Sequence, residues 1–151
     1  MTNERLEALA DRIEIRDVLA RYARGIDRAD LALLESCYFP DAIEEHGSVY
    51  TGNAYAYFKI AVERLQTRGM MNHFLCNSHI DFGGPDRAWV ETYALTFLRI
   101  KKDGKDYDTL TGGRYCDRFE RRDGEWRIAH RKICLDWNRD MESNEGWCFG
   151  V

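Results

Sequence analysis

Apolar residues recur every three or four positions between Ile13 and Ile26, at Ile15, Val18, Leu19, Tyr22 and Ile26, the spacing of a helix with one buried face. Helical patterning begins near Thr2 and runs to Gly25. A short second helix is predicted over Asp30 to Ser36, with Asp30 placed to cap it, and Pro40 ends that segment. Asp41 to His46 (DAIEEH) reads as a short strand, Gly47 to Gly52 as a turn, and Asn53 to Gln66 as a further helix with Tyr57, Ile60, Ala61 and Leu65 at helical spacing. From Met71 onward the period changes to two. Asn72 to Phe82 and Arg87 to Ile100 alternate, the latter through Trp89, Tyr93, Leu95 and Phe97, and two more strands follow over Tyr107 to Arg121 and Glu125 to about Asp136.

The joints between these strands are compact turn sequences: Gly83-Gly84-Pro85-Asp86, Lys102-Asp103-Gly104-Lys105, and Asp123-Gly124 at a hairpin tip. Helices grouped before consecutive hairpins predict an α+β fold in which an antiparallel sheet is covered on one face by helices. Gly112-Gly113 falls inside a long strand, where paired glycines mark a bulge or bend, and a sheet bent there would curl around its helices and enclose a cavity.

Composition adds bounds rather than a function. With 151 residues, 44% hydrophobic and 32% charged, the chain fits one soluble domain spanning residues 1–151. A net charge of −4 argues against nucleic acid as a partner, and the basic run at Arg118, Arg121 and Arg122 is interleaved with Asp117, Glu120 and Asp123 as on a solvated hairpin. Five cysteines at scattered spacings, with neither a CxxC pair nor histidines at metal-ligand intervals, predict a reduced cytoplasmic protein with no metal and no cofactor. The first twelve residues are not a signal peptide, and no apolar run is long enough for a membrane span.

The candidate chemistry starts at Asp27. A carboxylate at a helix C-terminus meets exposed carbonyls and gains nothing from the helix dipole, so it needs another partner, either as a cap for the next helix or as the orienting group of a histidine. His73 begins a strand on which His73, Leu75, Asn77, His79 and Asp81 share one face by alternation and Phe74, Cys76, Ser78, Ile80 and Phe82 the other. That parity puts Asn77 beside His73 on a cavity wall or in solvent. Arg131 alternates with Ala129, Ile133, Leu135 and Trp137; facing inward it needs an anion, for which Asp27, a substrate carboxylate or a developing oxyanion would serve, and facing outward it is a surface arginine. Tyr22 lies on the apolar stripe of the first helix as a pocket hydroxyl or plain core. Trp137 and Trp147 are candidates for the pocket wall or a subunit contact; His46 and His79 carry less, and His130 reads as a surface residue.

Several segments resemble the SnoaL-like branch of the nuclear transport factor 2-like superfamily: Ile15 to Asp27 (IRDVLARYARGID), the Pro40-Asp41 strand entry, His73 to Asn77 (HFLCN) and Thr111 to Arg131 (TGGRYCDRFERRDGEWRIAHR). In order and wording they are most similar to relatives of scytalone dehydratase, bile-acid dehydratases and hexachlorocyclohexane dehydrochlorinase. The resemblance implies a cystatin-like cone in which a curved sheet wraps around N-terminal helices and encloses a pocket. It also implies His73 as a base that removes a substrate proton, Asp27 as its orienting partner, Arg131 near the leaving group and Tyr22 as a hydroxyl donor. A second pocket histidine found in the scytalone enzyme has no match on the strand around Thr92 to Leu98.

The expectation is therefore a cofactor-independent lyase or isomerase acting on a small hydrophobic cyclic or aromatic molecule. Its alternatives are a non-catalytic binding or assembly module of the same fold and the small subunit of a ring-hydroxylating dioxygenase. An apolar outer sheet face predicts a homodimer or homotrimer, and Met141 to Val151 would close the cavity or lie outside it.

Overall fold

The computed structural model describes residues 2–66 and 71–143. Trp147 and Cys148, and most of the C-terminal segment that would close the cavity, lie outside the described residues. Helix α1 (Asn3–Asp27) and the short α2 (Leu31–Ser36) precede strand β1 (Tyr38–His46), strand β2 (Tyr50–Asn53) and helix α3 (Ala54–Gln66). The long strands β3 (Met71–Phe82), β4 (Arg87–Lys102), β5 (Lys105–Arg122) and β6 (Glu125–Glu142) follow. The predicted helices and long strands are present, with β5 and β6 extending beyond their predicted ends.

Two elements differ from expectation. The segment read as a turn, Gly47 to Gly52, supplies most of β2, which pairs antiparallel with β1 from His46↔Tyr50 to Ile43↔Asn53. The sheet is also mixed rather than wholly antiparallel. Its order is β2-β1-β6-β5-β4-β3, with β1 running parallel to β6 through Ile43↔His130 and Glu45↔Lys132. After β1 and β2, helix α3 carries the chain to the far edge, and three hairpins then return it to β1's flank. Local alternation reports the hairpins and is blind to this long-range closure.

The hairpin tips β4–β5 and β5–β6 place Asp103-Gly104 and Asp123-Gly124 at positive φ (52° and 79°, 53° and 83°), the two-residue turns that match the twist of paired strands. The paired glycines do mark a register shift, between Gly112 and Gly113 in the β5–β6 ladder. A Cβ on Gly113 would fall 2.5 Å from the Cys134 carbonyl oxygen, so only glycine fits there, and one on Gly112 would fall 2.3 Å from the Trp137 ring and displace it.

The predicted stripe Ile15, Val18, Leu19, Tyr22 and Ile26 is buried, packed with Leu34, Tyr38, Phe58, Phe119 and Ile128. Polar contacts set where α1 lies along the sheet. Asp11 accepts from Arg121 Nη1 at 3.0 Å and from the Trp126 indole at 2.8 Å, and Arg12 donates to the Ile80 carbonyl at 3.1 Å. At its other end α1 stops in a Schellman-type turn. Asp30 N–H returns to the Gly25 carbonyl at 2.9 Å and Ala29 N–H to that of Ile26 at 3.3 Å, with Ala29 at φ 52°. Asp30 then caps α2 through the Leu33 amide at 3.0 Å, which leaves Asp27 free for another partner.

Candidate active site

Between the helices and the concave face of the sheet lies a cavity of about 390 Å³, a volume suited to a small ligand. Tyr22 and Ile26 of α1, Tyr57 of α3, and Thr96, Tyr115 and Ile133 of the sheet form much of its wall, and His73 and His46 both face it.

Asp27 and His73 meet at this wall. The His73 imidazole Nδ1 is 2.7 Å from Asp27 Oδ1, and the His73 backbone N–H donates to both carboxylate oxygens at 3.1 and 3.0 Å. A carboxylate at the negative end of a helix is thus offset by three bonds from β3, not by its own helix. Both side chains are largely sheltered, 8% exposed for His73 and 13% for Asp27. With Nδ1 held by the carboxylate, Nε2 is the nitrogen left for the cavity, so one tautomer is selected by the neighbour. Tyr22 packs edge-on to His73 with ring centroids 6.4 Å apart. Burial raises the Tyr22 phenol well above its ordinary pKa; nearby Tyr115 adds to the effect and Arg131 opposes it, so Tyr22 stands as a protonated donor.

Arg131 is inward, and its anion is Asp117 on the neighbouring strand rather than Asp27. Nε and Nη2 each lie 2.7 Å from one Asp117 oxygen, and both side chains are fully buried. The guanidinium carbon sits 4.1 Å from the Tyr22 ring centre and 4.5 Å from that of Tyr115, so the rings that line the cavity screen the arginine from it. Burial opposes its charge, but Asp117 and the Tyr38 and Tyr22 phenols outweigh burial and hold its pKa well above the usual value. The sequence expectation of an arginine at the leaving group is corrected to one beneath the wall.

Asn77 and Trp137 do not line the cavity. The β3–β4 register shifts between Leu75 and Ser78, so the inward face passes from His73 and Leu75 to Ser78, Ile80 and Phe82, and Asn77 is exposed. Strict alternation across β3 fails at that bulge. Trp137 pairs with Gly112 and covers it on the face opposite the cavity-lining Thr111 and Gly113, about half exposed. His79 is exposed, and His130 pairs through Nε2 with Glu45 at 2.7 Å.

One pair escaped the sequence reading. Glu44 is 0% exposed while neighbouring Ile43 is 40% exposed, so the apolar residue of DAIEEH points away and the acid points in. A fully buried glutamate carries no periodic signal; its only trace is the spacing of two that sets it on one face with Ala42 and His46. Among the described residues no group of three or more His, Cys, Asp or Glu is arranged to hold a metal ion, and no helix is long and apolar enough to cross a membrane.

The chain matches the SnoaL-like domain over residues 7–132. It is 30% identical to the terrestric acid biosynthesis cluster protein E of Penicillium crustosum, over 87% of each sequence. Among solved structures it superposes on a hexachlorocyclohexane dehydrochlorinase from Novosphingobium barchaimii with a TM-score of 0.84 at 19% identity, covering 95% of this chain and 98% of that one. A candidate scytalone dehydratase from Novosphingobium aromaticivorans gives a TM-score of 0.78 at 20% identity, covering 96% and 97%. Likeness at such identities establishes the fold and leaves the chemistry to the site.

Proposed function

The chain belongs to the SnoaL-like domain family, and from that premise we propose that it is a lyase of the dehydratase or dehydrohalogenase kind, or an isomerase, acting without a cofactor on a small hydrophobic cyclic or aromatic molecule. The observation that carries this is the 2.7 Å contact between His73 Nδ1 and Asp27 at the wall of an apolar cavity. His73 Nε2 takes a proton from carbon next to a carbonyl or a leaving group, and Asp27 holds the ring and offsets the charge it acquires. Tyr22 donates a hydrogen bond to the oxygen on which negative charge develops. Such a base supplies about 10²–10⁴-fold in rate and needs no covalent nucleophile. A relative named for a biosynthesis cluster and structural neighbours named as a dehydrochlorinase and a dehydratase support small-molecule elimination chemistry. Self-association as a homodimer or homotrimer belongs to the same proposal, supported by Phe74, Trp89, Tyr93 and Trp137, all about half exposed.

The test is exchange of the α-protons of cyclic ketones with D₂O, followed by NMR, together with turnover of ring-containing alcohols, halides and enones. Exchange by the unaltered protein and its loss in His73→Ala and Asp27→Asn is the expected result. Ligand binding that persists in His73→Ala, with no exchange by either protein, would replace the enzyme with a binding module.

A further inference from the structure

Cys116 of β5 and Cys134 of β6 lie together on the face of the sheet that points away from the cavity, and nothing in the His73 chemistry uses them. Cys116 stands opposite Lys132 and Cys134 opposite Arg114, which makes the two cysteines diagonal neighbours across one strand pair. The residues just before them, Tyr115 and Ile133, are partners in the same ladder and line the cavity from the other face. The thiols therefore sit on the back of the cavity wall. Both are free and half-buried, within reach of a small solute. Glu91 of β4 stands opposite Cys116, and its Oε2 accepts from the Cys116 thiol at 4.0 Å and from Arg114 Nη1 at 3.1 Å. Arg114 also binds Asp136 through two bonds of 3.1 and 3.0 Å, so the Glu91 carboxylate is held in place beside the sulfur. Burial, then the neighbouring Cys134 sulfur with its hydrogen bond, then Glu91 push the Cys116 thiol up to about 11, with Arg114 opposing. Cys116 thus keeps its proton at neutral pH.

We propose that Cys116 and Cys134 form a reversible oxidation site, joined into an intrachain disulfide by a peroxide and reopened by glutathione. Because Cys116 holds its proton, Cys134 is the sulfur that reacts first and Cys116 the one that resolves. The Cys134 thiolate attacks one peroxide oxygen: an S–O bond forms, the O–O bond breaks, and hydroxide leaves as water with the proton that Cys134 released. The Cys116 sulfur then attacks the Cys134 sulfur while its proton passes to Glu91. The S–S bond forms, the S–O bond breaks, and the departing hydroxide takes that proton as a second water. Two thiols lose two electrons and the peroxide gains them. Diagonal partners stand about 7–8 Å apart at Cα, beyond the span of a relaxed disulfide, so closure draws the strands together. The ladder is already interrupted at the bulge between Gly112 and Gly113, next to the Arg114↔Cys134 pair, and the strands yield there. A bond closed under strain is the more easily reduced, which suits a switch rather than a staple.

The experiment treats the unaltered protein with hydrogen peroxide, blocks the remaining thiols with iodoacetamide and maps the digest by mass spectrometry. The expected result is the Cys116 and Cys134 peptides joined with the loss of two hydrogens, and separated again by glutathione. Cys76, exposed on the edge strand β3, reports how far an accessible thiol has been oxidised at the same dose. In Cys116→Ser, dimedone should capture a sulfenic acid on Cys134; in Cys134→Ser, Cys116 should still be alkylated as a free thiol. Cys116 and Cys134 both left free after Cys76 has been oxidised overturn the proposal. So does a disulfide from either one to another cysteine or to a second chain, or a joined pair that glutathione does not reopen. Each of these readings comes from the unaltered protein and is independent of any variant's folding.

Discussion

The His73–Asp27 and Arg131–Asp117 pairs share a closest approach of 2.7 Å between a nitrogen base and an aspartate, yet they do different work. Arg131 and Asp117 are joined by two parallel bonds on adjacent strands, sealed behind Tyr22 and Tyr115, with Arg131 Nη1 buried and left without a hydrogen bond. His73 spends one ring nitrogen on Asp27 and keeps the other at a cavity wall. The guanidinium is permanently charged and closed to exchange, so it organises the floor; the imidazole can gain and lose a proton, so it can act. A charge matched to a counter-charge behind the wall marks structure, and an ionisable ring nitrogen left over at the wall marks chemistry.

The largest effect that tests this contrast is on proton removal. His73→Ala should lower α-proton exchange by about 10²–10⁴-fold. The double variant with Asp27→Asn should lose no more than the single one, because the two residues act as a unit. Additive losses, measured by the same NMR assay, would separate them. On the other side, Asp117→Asn should destabilise the fold by about 3–5 kcal/mol in urea denaturation, because it leaves Arg131 charged and buried without its anion. Asp27→Asn should cost only about 1 kcal/mol, since an amide oxygen still accepts from the His73 N–H. Equal costs at the two sites would erase the distinction between them.

A smaller effect tests how dry the floor is. Burial pushes the Tyr115 phenol up to about 12 and those of Tyr22 and Tyr38 well above their ordinary value. Above pH 10 the unfolded chain ionises these phenols while the folded chain keeps them protonated, so the unfolded state binds fewer protons and stability falls as pH rises. The slope should reach about 1.4 kcal/mol per pH unit for each such tyrosine. Phenolate absorbance from these three should appear only with unfolding; their titration in the folded state would show that water reaches Arg131. The smallest effect is at the turn that aims Asp27. Ala29→Gly relieves a left-handed residue but loosens the unfolded chain, for a net gain on the order of 0.5 kcal/mol in denaturant midpoint, with exchange by His73 unchanged.

The sequence made much of this architecture legible. The apolar stripe of α1, the Asp-Gly hairpin tips and the Gly112-Gly113 bend are local features, set by side-chain period and backbone freedom, and they stand where the pattern put them. The His73–Asp27 pair was legible in two steps: a carboxylate at the wrong end of a helix advertises a missing partner, and the resemblance to the SnoaL-like branch, not the spacing, pointed to His73. Asn77 was misplaced because a single bulge reverses every side chain beyond it, and the segment around Leu75 to Ser78 carries no glycine to announce one. For Arg131 the sequence left inward and outward facing open, and the identity of an inward arginine's anion across a sheet depends on register, which alternation does not record.

By itself, then, the chain determined its periodic elements, its turn chemistry and the existence of an acid in need of a base, because each is written in residues close together in sequence. Tertiary structure decided the parallel closure of β1 on β6, the assignment of Asp117 to Arg131, and the inward turn of Glu44 beneath His46. Those contacts join residues whose separation along the chain is large or whose facing depends on a bulge, and their energies come from charges balanced in a space that exists only once the sheet has curled around α1.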